Sequence, residues 1–334
     1  MTNFYGQYIG FGAGVSGTGL PPYPFTGSRG LWGGGTNGGN SNIIDYVAIS
    51  TLGTAGDFGD LTVARQELTA CSNGTIGLFA GGYGGDLNVI DYVTIGATPV
   101  SNAVDFDDLF EGRRRASGVS NGIRGVFAGG FTGSARVNTI DYVVIASAAT
   151  AQDFGNLTAI KEYCGPVSNE TRGVWGGGYK TGGAIDNIDF VTIATTADAG
   201  NFGDMTEDRG YIAGVESVTR GVFCTGYDDH ASPVWVKHMD YITIATEANS
   251  ENFGDADVGR YGAAGSSNLT RGVFGGGYGG DLTQIDYITI QSEGAASDFG
   301  DPPLVGKLSL LVRGCRYRKG KSMVDELSVL SKNV

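Results

Sequence analysis

The residues best equipped for chemistry crowd into one segment, 227–238, which holds Asp228, Asp229, His230, Trp235, Lys237 and His238. Imidazole and carboxylate groups are the usual metal ligands and proton carriers. The two histidines do not, however, stand at the i, i+4 spacing that places a zinc pair on one helix face. They are read as loop residues, and no metal, cofactor or catalytic residue is assigned. The segment is instead a candidate binding site, because a tryptophan beside charged groups suits sugar or protein recognition. The cysteines, Cys71, Cys164, Cys224 and Cys315, form no CxxC pair and read as small buried side chains. The glycine runs contain no GxxxxGK[ST], so they are not phosphate loops.

Other candidates recur, and recurrence changes their meaning. One carboxylate column is Asp45, Asp91, Asp141, Asp189, Asp240 and Asp286; a second is Asp60, Asp108, Asn156, Asp204, Asp255 and Asp301. Calcium would require several of these oxygens to converge on one ion. Their presence in every repeat favours a structural role, capping turns or pairing with arginine. The arginine column, Arg29, Arg124, Arg172, Arg220 and Arg271, reads the same way, as interblade ion pairs or hydrogen bonds to carbonyls.

These columns belong to a repeat written most clearly at 271–301, RGVFGGGYGGDLTQIDYITIQSEGAASDFGD. Its copies start at Arg29, Ile76, Arg124, Arg172, Arg220 and Arg271, 47 to 51 residues apart. Such a period fixes the architecture before any single residue does. The Gly-Val-Phe segment reads as a short strand. IDYVTI alternates with both faces mainly apolar, so each sheet is expected to be covered on both sides. A further strand runs through DFGD. Another follows a basic column, Arg65, Arg113, Lys161, Arg209, Arg260 and Lys307. Four strands per repeat, stacked radially, predict an all-β, six-bladed propeller over residues 28–312. Residues 1–27 form an N-terminal arm rich in glycine and aromatics. The run Leu308–Val312, following Lys307, is expected to complete the blade begun at Arg29. Residues 313–334 are a basic tail, with Arg313, Arg316, Arg318, Lys319 and Lys321 as candidate anchoring residues and a short amphipathic helix over 322–331.

A net charge of −13 disfavours nucleic acid and anionic membranes as partners. No apolar run is long enough to span a bilayer, so no membrane insertion is expected, and the first residues do not resemble a secretory leader.

The order of glycine doublet (Gly81-Gly82, Gly129-Gly130, Gly276-Gly277), IDYVTI strand, aromatic and basic residue is similar to the kelch repeat, with the phenylalanine of DFG where kelch has tryptophan. The form RGVFGGG…IDYVTIATT…DFGDLT resembles repeats in structural proteins of tailed bacteriophages, notably those of cyanobacteria. That resemblance implies a non-enzymatic virion protein assembled in the host cytoplasm: a tail fibre, a tail accessory or a capsid decoration. Its partners would be other virion proteins, which would also set its oligomeric state, or a host-surface glycan or protein. The alternative is a carbohydrate-binding receptor module and, behind it, a polysaccharide-acting enzyme. Binding is expected where repeats differ, in loops 132–138, 180–186 and 227–238.

If the C-terminal strand closes the ring, removing residues 306–334 will lower the unfolding temperature strongly. An unchanged melt contradicts that closure.

Overall fold

The pattern of burial along one strand shows why sheets form and stack. In Thr139–Val144, Ile140, Asp141 and Val143 are buried, Tyr142 is half-buried, and only the last residue, Val144, is exposed. Both faces are therefore covered over most of the strand. The computed structural model describes residues 29–301, apart from 37, 86, 231–233, 269 and 280–283. Their strands build six antiparallel sheets, five of four strands and one of three, with two small two-stranded ribbons beside them.

Every four-stranded sheet keeps chain order from its inner to its outer edge. The blade of the third repeat runs Ser117–Ser120, Arg124–Ala128, Thr139–Val144 and Gln152–Asn156. Its neighbours repeat that order. The inner strands, Thr69–Ser72, Ser117–Ser120, Gly165–Ser168, Ala213–Glu216 and Ala264–Ser267, are buried throughout. In all six blades the outer pairing shifts register between the Ile and Asp of IDY or its equivalent, a bulge that increases local twist.

The ring closes within the described residues. The outer strand of each blade accepts a backbone hydrogen bond from the next blade: Ala103 N to Asp60 O, Ala151 N to Asp108 O, Ala199 N to Asn156 O, Ser250 N to Asp204 O and Ala296 N to Asp255 O. The sixth bond, Ala55 N to Asp301 O at 3.1 Å, joins the last blade to the first. The second carboxylate column thus uses its carbonyls, not its carboxylates, to hold blades together. The architecture is an all-β, six-bladed propeller, as the repeat predicts. The first blade shows three strands, Arg29–Gly33, Ile43–Ala48 and Gly56–Asp60. Its expected fourth strand, Leu308–Val312, the 1–27 arm and the basic tail lie outside the described residues.

The other columns also bind blade to blade or strand to strand. The arginines cross to the next blade: Arg29 to Ile95 O, Arg124 to Ile193 O, Arg172 to Ile244 O, Arg220 to Ile290 O and Arg271 to Ile49 O, at 3.0–3.4 Å. Each also lies over the aromatic ring of its own IDY or IDF strand, 4.1–4.9 Å from the centroid. That ring meets the DFG phenylalanine edge-on, as Tyr142 meets Phe154 at 5.8 Å.

The carboxylates of IDY are buried and paired with the basic column: Arg65–Asp91, Arg113–Asp141, Lys161–Asp189, Arg209–Asp240 and Arg260–Asp286, at 2.9–3.3 Å. Thr62 adds its amide and hydroxyl to Asp91, and Thr206 does the same to Asp240. Burial pushes the Arg65 and Arg113 guanidiniums down and the Asp141 and Asp286 carboxyls up, the last to about 6, against the pull of their partners. In the first blade Asp45, 3 % exposed, has no basic partner among the described residues, and burial raises it to about 7. Its counterpart by repeat position, Lys307, lies outside them.

A left-handed backbone is required where blades cross, and glycine supplies it in five of the six blades. Gly81 has φ +64°, and a Cβ there would stand 2.3 Å from the Arg113 carbonyl oxygen. The following amide, Gly82 N, donates to that same carbonyl at 2.9 Å. In the fifth blade the equivalent position is Thr225, still at φ 57°, fully buried, its hydroxyl without a partner among the described residues.

Removing one member of a buried ion pair leaves the other unsolvated, so Asp91→Ala is expected to cost about 3–5 kcal/mol of unfolding free energy. Combining it with Arg65→Met will recover much of that loss; denaturant melts of both variants check this.

Candidate functional site

The framework repeats, but one end of it does not. Strands alternate in direction, so the segments that enter the inner strands and the loops between second and third strands share one face. The second residue after each basic position stands nearest the axis there: Glu67, Arg115, Tyr163, Tyr211 and Gly262. Backbone bonds link them in a chain, Arg115 N to Glu67 O, Tyr163 N to Arg115 O, Tyr211 N to Tyr163 O and Gly262 N to Tyr211 O, at 2.8–3.1 Å. The first four are non-glycine residues at φ 55–63°, a left-handed conformation that costs about 1–2 kcal/mol each.

Their side chains make a polar and aromatic network. Arg115 Nε meets Glu67 at 2.9 Å and its Nη1 meets Glu162 at 3.3 Å. The Tyr163 hydroxyl donates to Glu67 at 2.7 Å, and the Tyr163 and Tyr211 rings stack at 3.6 Å. Burial opposes charge on Arg115, but Tyr163, Glu67 and Glu162 hold its guanidinium above the usual range. Burial pushes the Tyr211 phenol up to about 12 and raises Tyr163 as well, so both phenols are neutral.

A second ring of aromatics surrounds this centre, in the position that follows the glycine doublet, or Thr225-Gly226 in the fifth blade, of blades two to six: Tyr83, Phe131, Tyr179, Tyr227 and Tyr278. Tyr211 and Tyr261 connect them, with Tyr227–Tyr261 and Tyr261–Tyr278 centroids at 5.3 and 5.5 Å. Arg114 lies between Tyr83 and Phe131, 4.4 and 5.0 Å from their centroids. Tyr83 is 41 % exposed and Trp235 39 %, so the rim offers flat apolar faces beside guanidinium and carboxylate groups. Chemically this is a surface for stacking and directional hydrogen bonds.

The three variable loops build that rim, each reaching toward the next blade. From 132–138, Arg136 Nε pairs with Glu162 at 2.9 Å and its guanidinium lies over Tyr179. From 180–186, Ala184 N donates to Asp229 Oδ1 at 3.2 Å. The segment 227–238 is less of a loop than its sequence suggests. Arg220–Tyr227 and Trp235–Thr243 extend the hairpin, pairing Tyr227 with Trp235.

The six candidate residues of that segment divide into separate groups. Asp228, Asp229 and His230 come together, their ligand atoms within 4.8 Å of one another. Trp235 packs toward Gly259 and Gly279, and Lys237 Nζ donates to Asp257 O at 2.6 Å. His238 lies in a strand, with Nε2 2.9 Å from Asp240 and Nδ1 3.8 Å from Asp255. The anchoring candidates Arg313, Arg316, Arg318, Lys319 and Lys321 lie outside the described residues. Cys71, Cys164 and Cys224 are free and buried.

Sequence reasoning missed the axial residues Glu67, Arg114, Arg115, Glu162, Tyr163 and Tyr211. A signal was present: between two fixed columns, one position changes from Glu to Arg to Tyr to Tyr to Gly. The fold and its closed ring define a six-bladed β-propeller whose variable loops gather on one face. No protein-family model matches the sequence, and no curated protein matches it.

His238 gives this face a pH dependence. The Asp240 hydrogen bond raises its imidazole above 6.5, and Glu207 adds to this, while burial and Arg209 oppose it. Burial pushes the Asp240 carboxyl up, but His238, Arg209 and Thr206 outweigh it and hold it at about 2. The imidazolium contribution is complete below a pH of about 6.5 and is lost as pH rises through the raised value. The stability difference between wild type and His238→Gln is therefore expected to be larger near pH ~5.5 than near pH ~8.5 in paired thermal melts.

Proposed function

We propose that this chain is a non-enzymatic interaction module of a tailed-phage virion, serving as a tail fibre, a tail accessory or a capsid decoration. Its tyrosine- and arginine-lined axial face is the contact surface. The observation that supports this most is the division of labour in the ring. Columns that hold blades together repeat, whereas Glu67, Arg115, Tyr163, Tyr211 and the three variable loops differ and share one face. Aromatic and arginine side chains held rigidly at a rim are the residue types that anchor interfaces. The virion setting rests on the resemblance of the RGVFGGG…IDYVTI…DFGD repeat to phage structural proteins. The chain is kelch-like in that reading, and the 1–27 arm, the basic tail or both attach it to acidic or apolar virion surfaces.

A second reading, carbohydrate recognition at the host surface, is favoured by the exposed faces of Trp235 and Tyr83 beside carboxylate and guanidinium groups. Planar rings stack on the apolar faces of sugars while charged groups accept or donate to hydroxyls.

Purified particles test the first reading: the protein is expected to co-sediment with them at a fixed copy number. Its absence from particles would overturn the virion role. A glycan array tests the second, with hits expected for wild type and lost in Trp235→Ala and Tyr83→Ala. An array without hits removes the carbohydrate reading and leaves protein recognition.

A further inference from the structure

The inner strands end, on the face opposite the tyrosine rim, in a column of Ser72, Ser120, Ser168, Glu216 and Ser267. Four described blades place a serine there and the fifth a glutamate. The serines tie blade to blade. Ser168 Oγ accepts from Ser120 N at 3.3 Å, and Ser267 Oγ accepts from Glu216 N at 3.2 Å. Glu216 gives up that hydroxyl for a carboxyl that is 5 % exposed and meets no donor or cation among the described residues. It lines an axial cavity of about 10 Å³ with Ser72, Ser120 and Ser168, room for about one water or one small ion. A buried carboxyl without a partner is costly unless something charged or protic joins it.

We propose that the axial cavity binds one small monovalent cation of sodium size, held by the Glu216 carboxylate and the neighbouring serine oxygens. The donors are all hard oxygens, which suit alkali and alkaline-earth ions rather than soft metals. A hydroxyl has two acceptor lone pairs, so Ser120 and Ser168 each keep one beyond the backbone bonds they accept. Charge decides the valence: one carboxylate balances one positive charge, and a divalent ion would leave net charge beside buried apolar groups. Burial alone pushes the Glu216 carboxyl up to about 8, so near pH ~7 a bound cation displaces its proton. The other titratable group lining the cavity is Cys71, whose thiol burial raises and keeps protonated. With its value raised in the fold, the empty carboxyl favours folding at low pH and loses that contribution as pH rises through about 8. Cation binding is strongest in the same upper range.

The test compares thermal unfolding in sodium chloride and in choline chloride at equal ionic strength, for the full chain and for Glu216→Ser, which restores the serine of the other blades. For wild type, sodium is expected to raise the unfolding temperature by roughly 2–4 °C per tenfold excess over its Kd, more at pH ~9 than at pH ~7. Glu216→Ser is expected to melt alike in the two salts. In unbuffered solution near pH ~7, sodium should release close to one proton from wild type and none from the variant. Equal melting of wild type in both salts overturns the proposal, as does an undiminished sodium response in Glu216→Ser. Salt-independent melting combined with a lowered unfolding temperature in Arg313→Gln would instead assign the counter-charge to the C-terminal segment and overturn the cation site.

Discussion

A carboxylate buried away from water must find a cation, and in this protein that need fixes how one blade follows another. Asp91 is fully buried and is met by Arg65 at 3.1 Å. Arg65 belongs to the crossover that leaves the first blade and enters the second. Its backbone carbonyl is bound by Gly35 N of the first blade at 2.9 Å, while its side chain reaches the third strand of the second. Thr62, at the exit of the first blade, holds the same carboxylate. One residue is thus clamped by main chain to one blade and by charge to the next. The left-handed glycine of each doublet leaves room for that carbonyl, and the basic residue supplies both contacts. The same two contacts recur at Arg113, Lys161 and Arg209, and Arg260 keeps the ion pair to Asp286; equal rotations at successive crossovers return the chain to its start.

The framework was legible in the sequence because it is made of columns. Period, IDY alternation and the basic column predict a six-bladed all-β ring, and the ring is present. Pairing of the Asp column with a basic column was open to reading, although which basic column was not. Arg124 and its counterparts bond carbonyls of the next blade, whereas the residues after DFGD carry the ion pairs. Spacing along a chain does not say which of two cations a strand will bury; the direction of the crossover does. The second carboxylate column misled for the same reason, since its interblade bonds come from carbonyls that no side-chain pattern reveals.

The candidate face was harder to see. Residues of 227–238 drew attention because they are rare types in an insertion, yet the extended hairpin spreads them among separate neighbours. The axial residues are ordinary types inside the repeat, and only the ring brings Glu67, Arg115, Tyr163 and Tyr211 together from four blades. Histidine position shows the same limit: His238 reads as a loop residue but stands in a strand against Asp240, where its charge joins the buried network.

Backbone strain separates display from framework. Every described crossover needs a left-handed residue two positions after the basic one, and glycine is the least costly choice, as Gly262 shows. Four blades nonetheless place Glu67, Arg115, Tyr163 and Tyr211 there, each at φ 55–63°. Those side chains engage one another and the rim, so the strain positions chemistry at the mouth of the axis. Thr225 is the informative contrast. It carries the same kind of strain at φ 57°, but its hydroxyl is buried and meets no partner among the described residues. Left-handed geometry is therefore a requirement of the crossing chain at both places. Of these two left-handed positions, only the axial one points its side chain to a use beyond the fold, because there it faces the rim built by the variable loops.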